Sequence, residues 1–301
     1  MTPARLVGVG VGPGDPELVT VKAVRILTEA DVVFVPVSDA VPGRPYDGGV
    51  TVPGSPRGLG ETVPGSPRGL GETVPRSPRG LGDDAHPDGP GAAGEPGRAE
   101  ATVRTHVTHD RIVRLPFQMT GAADYDGPAV LVANALVTRP GGTVAFATIG
   151  DPNIYSTFTA LAAAVRRRVP DVRIETVPGI TAMQDLAARS GTVLAVGTET
   201  VALLPLTAGV DVYARAIDEH DTVVAYKGGR ALPRAIEVLG RAGRLGLPGA
   251  PNGIGAGGAA TYGAGLGLPG EDIRPVGELD PRAPGPYLST VIATRRPPWP
   301  T

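Results

Sequence analysis

Short apolar runs rich in β-formers alternate with helix-patterned stretches along most of this chain, and that alternation constrains the fold more than any other feature. The runs fall at 6–9, 31–37, 111–115, 143–147, 173–177, 201–204, 222–226 and 287–293. Apolar residues at helical spacing lie between several of them, at 19–29, 129–137, 155–169, 180–190, 212–218 and 232–242. Parallel strands need a crossover and a helix is the usual one, so the pattern implies an α/β protein with a mostly parallel sheet. In such sheets ligands bind beyond the carboxyl ends of the strands.

Two segments interrupt the pattern. From Thr51 to Asp83 an 11-residue unit is written three times, as TVPGSPRGLGE, TVPGSPRGLGE and TVPRSPRGLGD. Each copy offers one valine and one leucine among prolines and glycines, too little apolar surface to offset the entropy of ordering it. Residues 42–96 are therefore expected to form a disordered insertion, and 246–258 a low-complexity surface loop. Over the whole chain, 41% apolar and 19% charged residues suffice for a core. The net charge of −2 lacks the basic excess that a nucleic-acid partner demands.

The absence of cysteine excludes disulfides, thiolate metal sites and cysteine nucleophiles. No apolar run approaches the roughly 18 residues of a membrane span, and the N-terminus lacks a basic-then-apolar signal. A cytoplasmic protein without membrane contact is expected. His86, His106, His109 and His220 have no metal-ligand spacing, so no metal is expected either. Neither a Gly-x-Ser-x-Gly elbow nor a phosphate loop of the Walker type is present.

Three loops carry the chemistry. The first, Gly8-Val9-Gly10-Val11-Gly12-Pro13-Gly14-Asp15-Pro16, follows the first apolar run and precedes a predicted helix. Glycines let a backbone approach a ligand closely, and a helix N-terminus presents free N–H groups. It is not the dinucleotide fingerprint: counted from Gly8 the third glycine is Pro13, and counted from Gly10 it is Asp15. The second loop, Ile149-Gly150-Asp151-Pro152-Asn153-Ile154-Tyr155, sits at another strand end. The third, Val177-Pro178-Gly179-Ile180-Thr181-Ala182, opens a helix. Aspartate, proline and threonine are also ordinary helix-start residues. Three such loops with few charges nonetheless suit a neutral or zwitterionic ligand held by main-chain groups. Lys227, in Tyr226-Lys227-Gly228-Gly229-Arg230, lies at a further strand end.

Taken together these loops resemble the tetrapyrrole methylase family, across nearly the whole chain outside the two inserts. Its branch acting on C-20 of precorrin-2 is matched further by Arg114-Leu115-Pro116-Phe117-Gln118-Met119-Thr120, VPGITAMQDLAARS at 177–190, Tyr226 to Arg230, and Pro286-Tyr287-Leu288-Ser289-Thr290. The resemblance implies two α/β domains, 1–176 and 177–297, with S-adenosyl-L-methionine in the cleft between them. It implies methyl transfer to C-20 of precorrin-2 in cobalamin biosynthesis, by a homodimer. Carried over by motif, the cofactor site comprises Pro13, Ile149, Gly150, Asp151, Ile154, Thr181, Ala182, Lys227 and Gly228. Asp15 and Asp151 are candidates for stabilising charge on the substrate or taking the proton from C-20. Arg111, Arg114, Lys227 and Arg230 are candidates for its carboxylates. A sister C-methyltransferase acting on uroporphyrinogen III or a cobalt-precorrin is the alternative; an RNA methylase, a dinucleotide oxidoreductase and a binding module built on the repeat are weaker.

Overall fold

The structure, a computed structural model, describes residues 3–38, 97–117, 125–245 and 258–295. The predicted 42–96 insertion, Gln118 to Thr120 of the resemblance, the 246–258 loop up to 257 and the tail from Pro297 lie outside the described residues.

The first domain is built on β1 (Arg5–Gly10), α1 (Val21–Glu29), β2 (Val32–Ser38), α2 (Arg98–Val103), β3 (Ile112–Phe117), α3 (Asp126–Val137), β4 (Thr143–Thr148), α4 (Phe158–Arg168) and β5 (Arg173–Val177). Its sheet runs β3-β2-β4-β1-β5, parallel throughout. Successive strand residues serve opposite faces, as a period of two requires. Leu6, Val144 and Phe146 pack with α3 and α4, whereas Val7, Val9, Ala145 and Ala147 pack with α1 and α2. Both faces are covered, which is why these strands read as continuous apolar runs.

The second domain follows with α5 (Ala182–Ser190), β6 (Val201–Pro205), α6 (Val210–Glu219), β7 (Thr222–Tyr226), α7 (Leu232–Arg241), β8 (Ala259–Ala264), β9 (Asp272–Pro275) and β10 (Ser289–Thr294). Val177 still belongs to β5 of the first sheet, so the change of sheet comes one residue later than the motif boundary. The second sheet runs β6-β7-β10-β8-β9 and is mixed: only β6 and β7 are parallel. The expectation of a parallel sheet fails here because β8 and β9 were not legible as strands. β8, Ala-Ala-Thr-Tyr-Gly-Ala, is too small and glycine-bearing, and β9, Asp-Ile-Arg-Pro, too polar, to give a β signal. Helices α6 and α7 cover one face through Tyr213, Ile217, Ile236 and Leu239. Helix α5 covers the other through Leu186, against Val224 and Ile292.

Candidate functional site

The carboxyl ends of β1, β4 and β5 lie side by side in the order β4-β1-β5, so the three loops leave the first sheet at one edge. Gly8 and Gly10 are strand residues rather than loop residues, a correction to the sequence reading. Their function is close packing. A Cβ on Gly10 would sit 2.5 Å from the Gly150 carbonyl oxygen and 2.6 Å from the Gly179 nitrogen. A Cβ on Gly179 would sit 2.1 Å from that same oxygen. Three backbones, the end of β1 and one from each of the second and third loops, therefore meet where only glycine fits. An antiparallel bridge between Gly12 and Gly150, with Gly150 N donating to Gly12 O at 2.8 Å, adds a second tie.

Asp151 locks this junction. Its Oδ2 accepts from Gly179 N at 3.0 Å and its Oδ1 from Asn153 N at 2.8 Å, and the residue is buried. With both oxygens committed to backbone N–H groups, it joins the second loop to the third. This gives Asp151 a structural task, tying the two loops, beside the catalytic one expected from the sequence. Thr181 is likewise engaged locally, its N–H and hydroxyl both donating to Gln184 Oε1 at 2.7 and 2.8 Å, which closes the first turn of α5. Pro13 is buried, whereas Ile149, Gly150, Ile154 and Ala182 are half-buried around the junction.

The first loop does not lead straight into α1. Asp15 accepts from Glu17 N at 2.8 Å and starts a short 3₁₀ turn, and Thr20 caps α1 through Ala23 N at 3.2 Å. The anion-cradling helix terminus inferred from the sequence is thus occupied by the chain's own cap. Gly14 and Asp15 instead dock on the turn after β8. A Cβ on Gly14 would lie 2.2 Å from Leu266 O, and one on Gly267 equally close to Asp15 N. Beneath that turn, Glu271 accepts from Gly267 N at 2.7 Å and forms a two-pronged pair with Arg189. Arg189 also lies 3.8 Å from Asp185. Burial pushes the Asp185 carboxyl above its ordinary pKa; Arg189 opposes the shift, while Glu271 and Asp15 add to it.

The second domain contributes the end of β7. Tyr226 accepts from Met183 N at 3.1 Å, and its ring meets that of Tyr155 edge-on at 5.9 Å. Desolvation raises the pKa of both hydroxyls, so both stay protonated at neutral pH. Lys227 N donates to Ser289 O at 3.0 Å, and Gly229 N to Pro286 O at 3.2 Å, which sets Tyr287 beside Lys227. Gly228 is buried against Ser289, and Arg230 is exposed in the next turn. Tyr155, Tyr226 and Tyr287 went unassigned in the sequence reading, although each sits within a quoted motif. The signal available was an aromatic residue at each of two strand ends.

Two arginine assignments change. Arg111 is at the amino end of β3, where its Nη1 donates to Thr28 O at 2.6 Å and Ala30 O at 3.3 Å. It satisfies the last carbonyls of α1, at the opposite edge of the sheet from the loops. Arg114 places its Nε 2.8 Å from Glu100, a buried carboxylate that also pairs with Arg104. A cavity of about 300 Å³ lined by Ile217, Asp218, Ala242, Arg244 and Arg295 is also remote from the loops. There Arg244 donates to Ile217 O and His220 O, closing the C-terminus of α6. Among the described residues no helix is long and apolar enough to cross a membrane.

The junction presents glycine backbones and a carboxylate already satisfied within the chain. The family model described as Tetrapyrrole (Corrin/Porphyrin) Methylases matches residues 5–44 and 96–256. A precorrin-2 C(20)-methyltransferase of Sinorhizobium sp is 30% identical over 241 residues, which is 80% of this chain and 80% of that protein. A cobalt-precorrin-2 C(20)-methyltransferase of Salmonella typhimurium is 25% identical over 298 residues, 97% of either chain. A crystal structure of uroporphyrin-III C-methyl transferase from Thermus thermophilus complexed with S-adenyl homocysteine shares the fold. The TM-score is 0.52 at 17% identity, over 96% of this chain and 97% of that one.

Proposed function

The chain belongs to the tetrapyrrole methylase family, and on that footing we propose that it methylates C-20 of precorrin-2, a step in cobalamin biosynthesis, using S-adenosylmethionine. The observation that carries this reading is the three-way meeting of Gly10, Gly150 and Gly179 at adjoining strand ends, opposite Tyr226 and Lys227 of the second domain. S-adenosylmethionine, when bound, supplies a methyl group on a sulfonium, electrophilic enough to need no covalent help from the protein. The residues that would hold it are Pro13, Ile149, Gly150, Ile154, Ala182 and the backbone of Lys227 and Gly228, with Asp151 and Thr181 fixing the loops that present them.

What remains for the protein is alignment, exclusion of water and custody of a proton. The meso carbon that gains a methyl must release its hydrogen. Asp15 is the carboxylate on the first loop that is not fully committed, since Oδ1 alone accepts from Glu17 N. In this reading Asp15 receives that proton, and the turn at Leu266–Gly267 holds it in place. Arg230 and Lys227 remain the cations for peripheral carboxylates; Arg111 does not, because it closes α1. The relatives include both metal-free and cobalt-precorrin enzymes, so both substrates belong in the assay. A homodimer is part of the proposal and is checked by sedimentation.

Calorimetric titration tests the cofactor assignment. S-adenosylhomocysteine should bind with a stoichiometry of one per chain, and NAD(H) should not. Binding of NAD(H) alone would overturn the reading. Asp15→Ala should leave that titration nearly unchanged while turnover falls by about 100-fold or more, the usual scale for losing a general base.

A further inference from the structure

Among the described residues, the non-glycine positions with a left-handed backbone are Tyr155 at φ 50° and Lys227 at φ 61°. They come from different domains and they touch. Lys227 Nζ lies 5.6 Å from the centroid of the Tyr155 ring and 5.5 Å from that of Tyr287. The Tyr155 hydroxyl donates to Leu203 O at 3.3 Å, anchoring the second loop to β6. Tyr287 is set by the backbone bonds of 285–289 to the 227–229 turn. Strained backbone in two contacting residues concentrates where structure serves function. Here it brings an ammonium group between two aromatic rings.

Aromatic faces attract a cation without neutralising it. Among the described residues Lys227 has no carboxylate within ion-pair distance. The ammonium of this half-buried residue is therefore held between two rings, with no counter-charge at ion-pair distance, at the carboxyl end of β7. A group built so is ready for an anion that arrives with a ligand. Lysine offers a compact charge rather than a planar fork, which suits a single flexible carboxylate.

We propose that Tyr155, Lys227 and Tyr287 form a carboxylate subsite, in which the Lys227 ammonium binds one peripheral carboxylate of the tetrapyrrole while the two rings fix its position. This rests on the proposed function and divides Lys227 between two tasks: its backbone faces the cofactor and its side chain reads the substrate. Tyr155 and Tyr287 then act as positioning residues through the lysine.

The test uses the full chain and stable porphyrins in place of the natural substrate. Uroporphyrin III carries twice the carboxylates of coproporphyrin III, and binding of each is followed by fluorescence, with S-adenosylhomocysteine measured separately by calorimetry. Lys227→Met should weaken uroporphyrin binding at least tenfold and flatten its salt dependence, with S-adenosylhomocysteine affinity within twofold of the parent. Lys227→Arg should retain most of the binding. Lys227→Gly should lose it while melting no lower than the parent, because glycine relieves the left-handed backbone. Tyr287→Phe should bind as the parent does, and a leucine at either ring position should lose several-fold. The inference is overturned if Lys227→Met alters S-adenosylhomocysteine binding but not uroporphyrin binding, or if phenylalanine is no better than leucine. A parent protein that binds neither ligand overturns the proposed function instead.

Discussion

At the scale of single residues, the site is an exercise in removing side chains. Gly10 and Gly179 are glycine because the Gly150 carbonyl occupies the space a methyl group would need. Gly179→Ala forces the third loop away from the second, and overpacking of this kind costs about 1–3 kcal/mol. Urea denaturation should record that loss, and S-adenosylhomocysteine binding should fall with it; an alanine variant with parental stability and affinity would refute the close approach. Asp151→Asn keeps the shape but leaves one backbone N–H facing an amide instead of a carboxylate. A charge-assisted hydrogen bond contributes about 1.5–3 kcal/mol, so stability and cofactor affinity should both decline. A pure loss of turnover with affinity intact would instead mark Asp151 as a catalytic group. The sequence displayed all these residues, yet from spacing alone Asp151 read as well for catalysis as for a turn. The choice depends on which N–H groups its oxygens meet, and one of them, on Gly179, is 28 residues away.

At the scale of elements, two helices carry groups that their surroundings do not favour. Tyr213 on α6 is fully buried and its hydroxyl has no hydrogen-bond partner among the described residues. Tyr213→Phe should be neutral or stabilising by up to about 1 kcal/mol, because an unmet polar group is removed without leaving a cavity. Thermal melts would detect a clear loss, which would mean the hydroxyl is satisfied. Asp185 on α5 has a folded pKa above its ordinary 3.8. The folded chain therefore binds more protons than the unfolded one between those two values, and stability falls as pH rises through that window. Asp185→Asn should gain on the parent as the pH climbs from about 4 toward neutrality. Urea titrations across that range should show the two curves diverging; parallel curves would contradict the raised pKa. Element positions were largely legible because both faces of the first sheet are covered and its strands stay apolar along their length. The α2 helix escaped notice beside the proline-rich stretch, and β8 and β9 escaped because small or polar residues can pair in a sheet without advertising it.

At the scale of the whole molecule, the two sheets are joined by loops that also form the proposed site. The first loop docks on the turn after β8, the second loop meets β6 and β7 through Tyr155, and the third becomes α5. No periodicity argument could have shown the first two of these ties, since each is made between segments far apart in the chain. The eleven-residue repeat stands outside that scheme by composition. Loop-closure cost grows slowly with length, so removing residues 48–92 should leave melting temperature and activity close to those of the parent. A large loss of either would show that the repeat contributes to the fold. The central claim is methyl transfer to one carbon, and it is tested by incubating the protein with precorrin-2 and S-adenosylmethionine carrying a carbon-13 methyl, then locating the label by NMR. The label should appear on C-20; a label on any other carbon, or none transferred to either precorrin-2 or its cobalt form, would contradict the account.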